Sequence, residues 1–214
     1  MLLANSFVYL FCHNPKPVLE VNVKNNDTFT AITGFNILLC AMLISLQQSE
    51  APGSIGSLLI WLVSSVISFF LLVYLIKILA WLKESNAIIA SFTTLTCLIA
   101  TEIIGLVFPF FLLHDYVLSL GILSDILGLL VVFRSFQVKN KVAAIPFKIF
   151  GGGLFLLFFP KLTIPLIATT FNEKLVAILG DTGLLLSLLG SIFILRGTTI
   201  ALKAENSEAL KANE

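Results

Sequence analysis

Apolar residues run along this chain in long, nearly unbroken stretches, and short polar clusters separate them. The stretches are Thr28–Leu46, Ile55–Leu79, Ala87–Leu113, Val117–Phe136, Ala143–Thr170 and Leu175–Leu195. Each is close to the 20 or so residues that carry an α-helix across a bilayer. The breakers are Gln47 to Gly53, Lys83 to Asn86, the pair His114-Asp115, Gln137 to Lys141 and Asn172 to Lys174. The pattern predicts an all-α polytopic integral membrane helical bundle of six transmembrane helices. Pro160, Lys161 and Pro165 interrupt the fifth stretch, which predicts a kinked helix or a helix followed by a re-entrant piece. Before the first span, residues 1–27 read as a cytoplasmic interfacial segment, with Phe7, Val8, Leu10 and Phe11 on the leaflet and Asn14-Pro15 ending the helix. Residues 28–202 form the transmembrane domain. Residues 203–214 are a polar cytoplasmic tail of alternating charge, a helix extension or a loose end.

Composition agrees with lipid as the solvent. Of 214 residues, 58% are hydrophobic and 12% charged, with a mean hydropathy of +1.04. Counting the 13 glycines as apolar raises the share to about 64%, against roughly 45–50% for soluble domains. Charge decides the orientation. With the amino terminus in the cytoplasm, eleven Lys and Arg fall on that side and only Lys161 and Lys174 on the other, so the positive-inside rule places both termini in the cytoplasm. The start of the chain has no basic n-region and no small-residue cleavage site, so a cleaved signal peptide is not expected. A net charge of +1 without a basic run excludes nucleic acid as a partner.

Candidate chemistry is sparse. Cys12, Cys40 and Cys97 are far apart and form no CxxC pair, so neither a disulfide framework nor a zinc site is expected. His13 and His114 fall at opposite faces. No HExxH or GxSxG occurs, so the chain reads as no enzyme, with no cofactor. The informative residues are ionisable groups inside the spans. Glu102 lies twelve residues before His114 and Asp125 eleven after it, so a tight hairpin puts both carboxyls roughly 17 Å below one surface. Such a pair forms a proton or cation relay, or each carboxyl is protonated and glues helices together. Ser91, Thr94, Thr101 and Gly105 flank Glu102, and Gly121, Ser124 and Gly128 flank Asp125, on stripes that suit close packing. Gly183, Ser187, Gly190 and Ser191 form another, and Ser64 and Ser68 mark the second span. Gly151-Gly152-Gly153 marks a hinge or a close helix crossing, and Asn36 an interhelical hydrogen bond. On the cytoplasmic side, Arg134, Lys139, Lys141 and Lys148 make a basic surface for a partner or for anionic headgroups.

Several of these features resemble the Yip family, the Ypt/Rab-interacting-type membrane domain that also occurs in bacterial inner membranes. The similar features run from Leu10 to about Phe150: the apolar opening Phe7 to His13 before Asn14-Pro15, the amphipathic piece and first span Val18 to Leu46, the basic turn from Leu79 through Lys83 to Ser91-Phe92, Pro109 late in the third span, and the segment Phe136 to Lys141. The family typically has five spans, so the region from Gly151 onward departs from it. The resemblance implies a non-enzymatic multi-pass protein of a bacterial inner membrane, acting through a membrane-protein partner or by organising the bilayer, and it carries over no catalytic residue. The alternative is a small ion- or proton-coupled transporter, or a membrane subunit of an ion-translocating complex, using Glu102 and Asp125.

Overall fold

The computed structural model describes residues 20–48, 55–107, 114–167 and 173–211. Among them are six α-helices and no strand: α1 (Val23–Gln48), α2 (Ile55–Trp81), α3 (Asn86–Val107), α4 (His114–Phe136), α5 (Ala144–Ile167) and α6 (Glu173–Lys211). A helix stands wherever the apolar pattern predicts a span, with one difference of detail. His114 and Asp115 open α4 instead of making the turn before it. Of the alternatives left open, the fifth span takes the helical one through Pro160 and Pro165, and the polar tail extends α6 as far as Lys211. The interfacial reading of Phe7 to Phe11, like Cys12 and His13, falls outside the described residues.

Four of these helices are long and apolar enough to cross a membrane, over Val23–Leu46, Leu59–Trp81, Ala144–Thr163 and Leu175–Glu208, and Asn86–Thr101 is a shorter apolar stretch. The surface of α1 shows most directly what surrounds it. Its buried stripe is Asn26, Thr33, Asn36 and Cys40, whereas Phe35, Leu38 and Met42 stand more than half exposed. A helix in water would turn these faces the other way. Polar inside and apolar outside is the arrangement expected when hydrocarbon is the solvent, and the fold is that of an integral membrane protein.

Each helix packs on the next along the chain, and α6 returns against α1 to close a ring. Glycine sets the closest crossings. A Cβ added to Gly153 on α5 would lie 2.6 Å from the Gly183 carbonyl on α6, and one added to Gly183 would lie 2.6 Å from the backbone nitrogen of Leu157. Gly190 meets the Phe150 backbone in the same way. The sixth-span stripe and Gly153 are therefore a close crossing, as small residues permit in lipid. Gly128 on α4 packs against the Phe158 ring. The other predicted stripe holds only in part. Ser91 is buried, but Thr94 and Thr101 are exposed and donate to their own helix at the carbonyls of Ala90 and Cys97. Near the α2–α3 turn the ring is filled by aromatics, with Phe92 of α3 against Phe147 and Phe150 of α5 at centroid distances of 5.9 and 5.8 Å.

Candidate functional site

The first polar element is a seam between α1, α2 and α6. The Tyr74 hydroxyl donates to Asn26 Oδ1 at 2.6 Å, and Asn26 Nδ2 donates to the Leu195 carbonyl at 3.3 Å. Phe29 stacks on the Tyr74 ring at 4.2 Å. Further along α1, Asn36 Nδ2 donates to Ser68 Oγ at 3.1 Å, the interhelical bond expected of it, and Cys40 Sγ lies 3.3 Å from Ser64 Oγ. Asn36 Oδ1 is buried with no hydrogen-bond partner. Interhelical hydrogen bonds in membranes contribute roughly 0.6–2 kcal/mol. We therefore expect Asn26→Leu, which removes two such bonds and strands the Tyr74 hydroxyl, to destabilise the protein by about 2 kcal/mol. Tyr74→Phe removes one bond and should cost about half as much, read from thermal unfolding in detergent.

The second element is a layer of charge, and helix register builds it. Gly128 of α4 meets Phe158 of α5. Three residues back along α4 is Asp125 and three on along α5 is Lys161, so antiparallel packing sets the two at one level. Leu157 of α5 meets Gly180 and Gly183 of α6. Asp181 falls between those two glycines, so it stands level with Leu157, one turn of α5 before Lys161. On the other side, Asn26 of α1 reaches Leu195 of α6, and fourteen residues along each helix from that bond stand Cys40 and Asp181. Lys161 acts electrostatically on both Asp125 and Asp181, and Asp181 acts on the Cys40 thiol. Asp125 and Asp181 are half-buried and Lys161 is exposed. From the nearer helix ends these three lie about 16, 12 and 9 Å deep respectively. The layer belongs to the half of the bundle away from the Phe92 cluster.

Glu102 lies on α3, and its side chain is outside the described residues. The charged residue that helix register sets level with Asp125 is Lys161. Sequence reading takes Lys161 as a breaker and as one of the two basic residues on the outer side, and passes over Asp181. The signal was present for both, since an ionisable residue inside an apolar run is a functional candidate by default. Among the described residues no group of three or more His, Cys, Asp or Glu side chains is placed to hold a metal ion.

The third element joins the α2–α3 and α4–α5 turns. α2 ends with Lys83 N–H donating to the Ala80 carbonyl and Glu84 N–H to the Leu79 carbonyl. This is a Schellman closure with Lys83 at φ 56°, where glycine is the usual occupant. The closure aims the Glu84 carboxylate across the gap, and Oε1 accepts from the backbone N–H groups of Lys139 at 3.1 Å and Asn140 at 2.9 Å. Arg134, in the last turn of α4, donates to Gln137 Oε1 at 2.7 Å. A cavity of about 690 Å³ opens between the turns, lined by Leu82, Lys83, Glu84, Ser85, Ile88, Gln137, Lys139 and Asn140. Lys139, Lys141 and Lys148 are exposed around it, and Arg134 partly so.

Comparison with known proteins finds no matching family model, no matching curated protein and no matching solved structure.

Proposed function

We propose that this chain is a six-span protein of a bacterial-type inner membrane, with both termini in the cytoplasm, that works without catalysis by binding a partner at its cytoplasmic face. The observation that carries this reading is the Glu84 clamp. It fixes the α4–α5 turn to the α2–α3 turn, so that Lys139 and Lys141 stand exposed beside a formed cavity and not on a free loop. The Yip-like layout of the first two thirds of the sequence supports the same reading. Reporter fusions after Ser49 and Glu173 should read as external, and fusions after Ser85, Asn140 and Glu214 as cytoplasmic. An external carboxyl terminus would refute the six-span topology. Lys139→Gln with Lys141→Gln should remove a partner recovered from detergent by the unaltered chain; recovery at the original level would refute the docking role of this surface.

A second reading has its own observation, the placement of Lys161 level with Asp125 and one helical turn from Asp181. On this reading the chain is a small proton-coupled carrier or a subunit of an ion-translocating complex. Proton flux into proteoliposomes that disappears in Asp125→Asn would favour it over partner binding.

A further inference from the structure

We propose that the cavity between the α2–α3 and α4–α5 turns holds the phosphodiester headgroup of one anionic phospholipid, with Lys83 and Lys139 as its cationic walls. The proposal deepens the partner-binding reading and rests on it for the side of the membrane, but lipid retention and partner capture are measured apart.

Lys83 gives the first reason. It closes α2 at φ 56°, a left-handed position that glycine fills freely and a residue with a Cβ fills at a cost. Its exposed side chain gives the fold nothing in return, since among the described residues it makes no hydrogen bond or ion pair. An ammonium kept there is explained by something the bundle itself does not contain. Lys139 lines the same cavity from the other turn, likewise without an ion pair among the described residues. Lysines at a membrane edge attract anionic lipid wherever they stand. This pair differs in being held. The Glu84 bonds to the Lys139 and Asn140 N–H groups join the two turns, so the lysines flank one cavity of about 690 Å³ before any ligand arrives. The charge fits a single phosphodiester. Lys83 and Lys139 against Glu84, the one acid in the lining, leave one positive charge, and the first turn of α3 adds no acidic residue. A phosphodiester carries one negative charge. The rest of the wall suits an amphipathic occupant. Ser85 offers a hydroxyl, whereas Leu82 and Ile88 give an apolar side that a free phosphate leaves unused and a lipid glycerol with its first acyl carbons would cover. Position agrees: the cavity lies past the last turns of α2 and α4, which end at Trp81 and Phe136, where spanning helices leave hydrocarbon for the headgroup layer.

The test is native mass spectrometry of the full chain in detergent, titrated with phosphatidylglycerol and, separately, with zwitterionic phosphatidylcholine. One phosphatidylglycerol should be retained per chain, about tenfold more tightly than phosphatidylcholine. Lys83→Gly and Lys139→Gln should each weaken its retention about tenfold. Lys83→Gly should do so at an equal or higher melting temperature, because glycine relieves the left-handed turn. Lys24→Gln removes the same charge from the same end of the bundle, on the exposed side of α1 and outside the cavity, and should change retention about twofold at most. Equal losses in all three variants, or equal retention of the two lipids, would overturn the site and leave a diffuse electrostatic surface. Displacement of the lipid by micromolar glycerophosphoglycerol, its soluble deacylated headgroup, would overturn it in favour of a free phosphodiester. If Lys83→Gly does not fold, Lys139→Gln against Lys24→Gln decides. A chain that retains the lipid but recovers no partner refutes the partner reading and leaves this site standing. A chain that recovers a partner while binding both lipids alike removes the site alone.

Discussion

Alanine at position 153 should cost the folded protein about 3 kcal/mol, and leucine there should abolish folding, whereas alanine at the adjacent position 152 should be nearly neutral. The contrast comes from what each Cβ would meet. At Gly153 the obstacles are the Gly183 carbonyl and the Ser187 backbone, which belong to a helix and cannot move aside as a side-chain tip would. At Gly152 nothing lies within 4 Å. Overpacking against backbone forces the helices apart, and α5 and α6 share the most extensive interface of the ring. Separation there would also move Lys161 away from the α6 turn bearing Asp181. Gly183→Ala should behave like Gly153→Ala, since its Cβ would meet the backbone of Leu157. Thermal unfolding of purified protein in one detergent measures all of them. Equal stabilities for Gly152→Ala and Gly153→Ala would contradict this crossing.

The helices were legible in the sequence because lipid demands long apolar runs and tolerates little else. Their polar residues were legible singly but not as a set. Asn36 could be assigned an interhelical bond because an amide in hydrocarbon must find a partner, but nothing in the chain names Ser68 as that partner. Asp125 was visible for the same reason. Pairing it with Glu102 relied on the turn between them, whereas Lys161 is reached through the antiparallel register of α4 and α5, which the Gly128–Phe158 contact fixes. Register is a property of two surfaces, and no single helix encodes it. Pro160 left two courses open, a kinked helix or a helix followed by a re-entrant piece, and α5 stays helical through it to Ile167. The basic surface was visible as charge; that a carboxylate organises it was not. Glu84 sits in a different polar cluster from Lys139 and Asn140, more than fifty residues away in the chain.

That carboxylate yields the other large expected effect. Glu84→Ala should release the α4–α5 turn while leaving the bundle folded. Two backbone N–H groups then lose a charged acceptor, and hydrogen bonds to charged groups contribute about 1.5–3 kcal/mol each when well formed. Glu84 is only half-buried, so water offsets much of the loss, and a local cost of about 1.5 kcal/mol is expected. The cost is local because the turn carries few buried side chains, and such segments open independently of the core. Hydrogen exchange should therefore quicken about tenfold at the amides of Lys139 and Asn140, with little change in α5 beyond its first turn. Glu84→Gln retains an acceptor oxygen and should fall between the two. The variant also separates two explanations of the basic surface. If lysines bind through charge alone, removing a negative charge from among them should strengthen adsorption to anionic vesicles and partner capture alike. If the clamped geometry of the two turns is what a partner recognises, Glu84→Ala should lose the partner although every lysine remains and vesicle adsorption rises. Partner capture that strengthens together with vesicle adsorption would reduce this face to an electrostatic anchor.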